Sequence, residues 1–144
     1  MRKYDHEKIE KKWQKKWEEA CAYETPDAVT KKKNEYVLVE FPYPSGNLHT
    51  GHWYAFSIPD IYVRMRRMQG HNVLFPIGFD AFGLPAENAA ITHNVSPKVW
   101  TEDNMQYMEK QLRSMGASFD WSRMVRTCDP EYYKWTQWFF LQFY

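Results

Sequence analysis

Between Asp5 and Tyr23 apolar residues recur every three or four positions, at Ile9, Trp13, Trp17 and Ala20 or Cys21, with lysines and glutamates between them. That spacing predicts an amphipathic helix laying one stripe on the body of the protein. Thr25-Pro26-Asp27 to Lys31-Lys32-Lys33-Asn34 is polar, and its lysine run reads as a solvated face. Glu35 to Phe41 is a β-branched and aromatic run with the look of a buried strand. Pro42, Pro44 and Ser45-Gly46 break that strand into a loop. From Gly51 to about Gly70 the period becomes helical, with Tyr54, Ile58, Ile61, Tyr62, Met65 and Met68 on the apolar side. Pro59 inside this helix removes one backbone hydrogen bond and predicts a kink. Arg64, Arg66 and Arg67 lie near its C-terminal end, where cations suit the helix dipole.

Gly70 stops the helix, and Asn72 to Ile77 reads as a second strand. Strand, helix, strand predicts a right-handed crossover joining a parallel pair. Pro85 opens a short helix to about His93, with Glu87 in its first turn. Ser96-Pro97 caps another that runs to Met115, with Trp100, Met105, Met108 and Leu112 inward and Gly116 after it. Phe119 to Arg123 reads as a turn and Met124 to Thr127 as a brief strand. A last helix from Glu131 to Tyr144 carries Tyr132, Trp135, Trp138, Phe139, Leu141 and Phe143 on more than one face, so it expects neighbours on several sides.

The 144 residues fit one domain, and 18% aromatics with seven Trp exclude a disordered chain. A net charge of +1 gives no overall nucleic-acid signal, so any RNA contact has to be local. Cys21 and Cys128 form no CxxC and no disulfide framework, which points to a reducing compartment. The start, Met1 to Lys8, lacks the apolar core of a signal peptide, and no long apolar run follows. Cytoplasmic residence is the expectation.

The chemistry concentrates at the end of the first strand, in Phe41-Pro42-Tyr43-Pro44-Ser45-Gly46-Asn47-Leu48-His49-Thr50-Gly51-His52. The unpaired N–H groups and positive dipole end of the following helix favour an anion there. His49 and His52 add hydrogen bonds from the same side, and Gly51 removes a Cβ where a flat ligand ring could lie on the backbone. A metal pair and neutral structural histidines in a capped turn are the competing readings. Nothing supplies further ligands at typical spacing, because His71, His93 and the two cysteines are scattered, so no metal is assigned. Asp80 follows the second strand in a Gly-containing turn, where aspartate is often only a turn former. Glu87, Asn88 and His93 are left outside the site.

The run from Phe41 to His52 resembles the His-x-Gly-His signature of class I aminoacyl-tRNA synthetases, and its wider form is similar to the leucine-type members. Pro76-Ile-Gly-Phe-Asp80-Ala-Phe-Gly-Leu-Pro85-Ala-Glu87 is a second block of that type. It carries Ala81-Phe82-Gly83 where the isoleucine and valine enzymes usually have Thr-His-Gly. The resemblance runs from about Lys8 to the last residue. It implies an α/β fold: a Rossmann-like (HUP-type) parallel sheet, an incomplete first half, with an N-terminal amphipathic helix and C-terminal helices. Residues 1–34 would be the N-terminal helix and polar loop, and 35–144 the first half of the catalytic domain. Such sheets bind ligands beyond the carboxyl ends of their strands, where both marked blocks lie.

What the resemblance implies for chemistry is leucine–tRNA ligation. ATP, with Mg2+, and L-leucine give leucyl-adenylate, which is transferred to tRNA(Leu) by the full-length enzyme. His49 and His52 would be the catalytic pair, stabilising charge on the α-phosphate as it becomes five-coordinate. Pro42, Tyr43, Pro44, Ser45, Gly46, Asn47, Leu48, His49, Thr50, Gly51 and His52 would form the ATP-binding run. Phe41, Tyr43 and Asp80 would form the leucine site, Asp80 taking the α-ammonium and Tyr43 lying also near the incoming tRNA end. The Lys-Met-Ser-Lys-Ser loop, editing domain and anticodon-binding domain of the family are not in these residues. The complementary C-terminal half is therefore an expected partner, and a membrane is not. Two alternatives stay open: a noncatalytic fragment that binds ATP or a partner, and a small nucleotidyltransferase with a similar His-x-Gly-His.

Overall fold

The computed structural model describes residues 4–28 and 31–144; the reading of a signal-free start at Met1 to Lys3 and of a polar loop at Val29 and Thr30 lies outside the described residues. The elements run α1 (His6–Glu19), β1 (Asn34–Tyr36), α2 (Thr50–Met68), β2 (Asn72–Leu74), β3 (Pro76–Phe79), α3 (Leu84–Thr92), α4 (Pro97–Ser114), β4 (Asp120–Arg126) and α5 (Pro130–Phe143). Both strand pairings are parallel, β1 with β2 and β3 with β4. This is the mixed α/β architecture the alternating periods predict.

The strands differ from the expected ones in a consistent way. The run read as one strand from Asn72 to Ile77 is split into β2 and β3 around Phe75, and each piece has its own partner. Asn34, Glu35 and Tyr36 pair with Asn72, Val73 and Leu74, and Val37 N–H still donates to Leu74 O at 2.9 Å. Beyond that point the chain from 38 to 43 forms no strand, so the predicted strand to Phe41 is cut to three residues. Phe75 O then accepts Asp120 N–H at 2.7 Å, handing the ladder over to β4. Phe119 to Arg123, read as a turn, mostly belongs to β4, whose register against β3 slips between Pro76↔Asp120 and Gly78↔Val125. Pro76 has no N–H to give, which suits a break in the ladder at that residue.

The core is built where β2, β3, α2 and α4 meet: Phe56 and Val63 of α2, Val73, Phe75, Ile77 and Phe79 of the strands, Met105, Met108 and Leu112 of α4, and Phe119. Phe119 ties the layers together, edge-on to Phe56 at 5.9 Å and tilted against Phe75 at 4.7 Å between ring centroids. Helix α4 buries Met105, Met108 and Leu112 as predicted, but Ser96 makes no side-chain cap bond.

Helix α2 sits in the predicted place with the wrong side inward. Tyr54, Ile58, Ile61, Tyr62, Met65 and Met68 are all exposed, and the buried residues are Phe56 and Val63. Polar groups share that inner face because each is consumed by a specific bond. Asp60 accepts from Ser118 N and Oγ, both at 2.6 Å, and from Arg64 Nε at 2.7 Å. Arg64 also donates to Gly116 O, and Arg67 to Ser118 O, Tyr23 O and Val73 O. These bonds recover what burying the groups costs.

Helix α1 docks through few residues. None of its side chains is fully buried; Trp17 lies under the Arg64 guanidinium at 5.1 Å, and Gln14 donates to Ser114 O. The segment after it is less solvated than its composition suggests. Thr25 N–H donates to the buried carboxylate of Asp120 at 2.8 Å, and Thr25 Oγ1 donates to Val73 O. Helix α5 buries none of its aromatic residues. Cys21 is exposed and Cys128 half-buried, both as free thiols.

Candidate functional site

The loop between β1 and α2 meets β3 and the turn after it at two points. Asp80 N–H donates to Pro42 O at 3.1 Å. One residue earlier, the Phe41 ring lies against the backbone of Gly78, 2.8 Å from where a Cβ would stand. The two blocks singled out in the sequence therefore meet in space. Tyr43, Pro44 and Ser45 from the loop and Asp80, Phe82 and Pro85 from the turn line one small recess. Within it Tyr43 is exposed and Pro44 buried.

The two histidines cap α2 with their own rings. His49 is the N-cap residue in extended conformation, and its Nδ1 accepts the Gly51 N–H at 3.1 Å. His52, three residues on, turns its Nδ1 back to accept the His49 N–H at 3.1 Å. This is a capping box in which imidazoles stand where a hydroxyl and a carboxylate usually do. It fixes the tautomer: a neutral ring that accepts at Nδ1 carries its proton on Nε2. The ring centroids are 4.0 Å apart with the planes tilted by 42°, so the two imidazoles stand next to one another at the helix start. Burial of the ring and the nearness of His49 push the His52 pKa below its ordinary value, against a smaller pull upward from Glu40, and the ring is neutral at pH 7.

Gly51 has a role the sequence does not announce. A Cβ there would stand 2.8 Å from His49 Cε1 and 2.9 Å from Nδ1, so in this structure the open face of Gly51 is taken by the His49 ring and not left for a ligand. Upstream, Leu48 N–H donates to Gln111 Oε1 of α4 at 3.1 Å. Helix α4 thus holds the residue just before the cap, and no motif marks Gln111 for that task. His93 stacks on Trp100 at 4.4 Å and does not reach the loop through any contact of that kind. Among the described residues no cluster of three His, Cys, Asp or Glu side chains could hold a metal ion, and no helix is long and apolar enough to cross a membrane.

Comparison with known proteins bears on the same residues. The family model described as tRNA synthetases class I (I, L, M and V) matches residues 12–144. The leucine--tRNA ligase of Dehalococcoides mccartyi is 55% identical over 142 residues, 99% of this chain and 17% of that enzyme. That of Fervidobacterium nodosum is 55% identical over 144 residues, all of this chain and 18% of that enzyme. Among solved structures, the ternary complex of Agrobacterium radiobacter LeuRS with tRNA and LeuAMS superposes with a TM-score of 0.90 at 38% identity, over 97% of this chain and 18% of that one. Mycobacterium tuberculosis methionyl-tRNA synthetase in complex with methionyl-adenylate gives a TM-score of 0.66 at 28% identity, over 71% of this chain and 20% of that one. The chain spans less than a fifth of the length of the relatives it matches.

Proposed function

Because the chain belongs to the class I tRNA synthetases, we propose that it supplies the leucine-activating half-site of a leucine–tRNA ligase, acting in the cytoplasm. In that reading residues 35–144 are the first half of the catalytic domain and residues 1–34 its leading helix and loop. The substrates are L-leucine and ATP, the latter arriving as its Mg2+ complex, and the acceptor is tRNA(Leu) on the full-length enzyme.

The observation that carries the proposal is the imidazole capping box. A leucine carboxylate attacks the α-phosphorus, and pyrophosphate departs. Negative charge grows on the α-phosphate oxygens as the phosphorus becomes five-coordinate, and no proton has to be removed for that step. The Nε2–H groups of two rings whose Nδ1 atoms are held by the cap are suited to that charge. A neutral donor, as the His52 ring with its lowered pKa provides, stabilises the oxyanion without binding the phosphate of the ground state as strongly as a cation does. Pro42 to Leu48 would carry the nucleotide between the cap and the turn. Asp80 would take the leucine ammonium, with Phe41 and Tyr43 beside it as the apolar walls. Tyr43, exposed at the recess, would also face the tRNA end.

Leucine-dependent exchange of pyrophosphate into ATP tests this directly. The isolated chain is expected to bind ATP weakly and to exchange very slowly, because the family's Lys-Met-Ser-Lys-Ser loop is not among its residues. His49→Ala and His52→Ala together should abolish the exchange. ATP binding with no exchange even at high protein concentration would favour a noncatalytic module. Exchange driven by another acceptor would favour a small nucleotidyltransferase.

A further inference from the structure

Thr127 closes β4 where β3 ends, and it straddles Asp80. Its backbone N–H donates to Phe79 O at 3.1 Å, and its Oγ1 accepts the Ala81 N–H at 2.7 Å. Asp80 is the residue between those two anchors. The side chain of Thr127 is buried, so its hydroxyl has no water to turn to. One lone pair of Oγ1 is occupied by Ala81, and the hydroxyl proton is free for an acceptor. Asp80 Oδ1 stands 3.2 Å away and takes it. With Asp80 N–H bound to Pro42 O, the residue is held on its backbone from both neighbours and on its carboxylate by one oxygen.

From this arrangement we infer that Thr127 is a positioning residue for amino-acid recognition: its hydroxyl orients the Asp80 carboxylate so that the remaining acceptor capacity meets the leucine ammonium. The inference rests on the reading of Asp80 given above. An ion pair between a carboxylate and an ammonium gains from geometry as well as charge, since each lone pair has a direction. A carboxylate free to rotate loses part of that gain to entropy on each binding event. The methyl group of Thr127 is not required for the task, and the hydroxyl is. The consequence is selective, because only ligands that carry the amine should sense the loss.

The test uses the 144-residue chain, leucyl-sulfamoyl adenosine and its counterpart lacking the amino group, with both affinities measured by calorimetry or NMR titration. Wild type should prefer the amine-bearing ligand. Thr127→Val, which keeps the shape and removes the hydroxyl, should weaken that ligand about tenfold and leave the desamino ligand unchanged. Thr127→Ser should restore wild-type affinity. Thr127→Cys, a weak hydrogen-bond partner of similar size, should fall between them, and the Ser–Cys comparison decides the matter if the Val variant does not fold. Asp80→Ala separates the two levels of the claim. Should Asp80→Ala leave the preference for the amine intact, or should wild type show none, the reading of Asp80 fails and the inference with it. Should Asp80→Ala abolish the preference while Thr127→Val or Thr127→Cys keeps it, Asp80 stands and the role of Thr127 is overturned. Equal weakening of both ligands in the Thr127 variants would also overturn it, since that is what a merely structural residue does.

Discussion

Phe41 and Gly78 occupy one another's space: a Cβ on Gly78 would lie 2.8 Å from Cδ2 and Cε2 of the Phe41 ring and 2.5 Å from Val125 O. Backbone on one side and a packed ring on the other leave no room for a methyl group. Gly78→Ala is therefore expected to cost about 1–3 kcal/mol, the usual penalty of overpacking. Urea unfolding of the two proteins checks it. A change below about 0.5 kcal/mol, typical of surface substitutions, would show that β3 and the loop are not in contact as described.

Gln111 should matter to the cap without touching it. Gln111→Leu leaves the Leu48 N–H without its acceptor, and a half-buried orphan of this kind costs about 1 kcal/mol. Amide exchange at Leu48 should accelerate and spread into the first turn of α2, whereas Gln111→Glu should keep both the acceptor and the slow exchange. Unchanged exchange in the Leu variant would remove α4 from any part in holding the loop.

Acid should loosen the joint between β1 and α2. The Arg66 guanidinium, hydrogen-bonded to Glu35 through Nε at 2.8 Å and through Nη2, holds its carboxyl down at about 2, with a further pull from His71 at 2.8 Å. A carboxyl lowered on folding from 4.5 contributes stability that is complete above pH 4.5 and lost as pH falls toward 2. Glu35→Gln should flatten the stability profile in that window and leave its shape above pH 5 unchanged. Chemical denaturation at a series of pH values gives the two slopes.

His52 acts in a higher window and with the same sign. Its folded pKa lies below 6.5, so the unfolded chain binds the proton more readily. The contribution is complete above pH 6.5 and is lost as pH drops through the folded value. His52→Gln should abolish this slope yet keep the helix start, because a glutamine at the third helical position can reach back to the same N–H. NMR titration of the ring should give a midpoint under 6.5. A midpoint above it would mean that the neutral Nε2–H form is not the resting one.

Much of this molecule is legible from residue order, and the failures share a cause. The boundaries of α2 follow from Gly51 and Gly70, and α3 and α4 from their prolines. Of the two blocks expected at strand ends, the second follows β3 directly at Asp80, the first starts five residues beyond the end of β1, and the Pro42–Asp80 bond brings the two together. Apolar residues surround α2, so period alone cannot choose which side of that helix faces inward. The deciding groups, Asp60, Arg64 and Arg67, look solvent-facing until their partners on Ser118, Gly116 and Tyr23 are known. The same blindness hid Gln111 and Thr127. Each acts by meeting a backbone group far away in sequence, 63 residues for Gln111 and 46 for Thr127, and no local pattern records such a meeting.

The imidazoles of His49 and His52 are fasteners of α2 before they are anything else. Unwinding a single turn at that end would release both rings at once, so ligand affinity and local helix fraying become one quantity seen by two methods. On warming, recognition should therefore fade ahead of the collapse of the aromatic interior, and a bound anion should be what keeps that end of the helix wound.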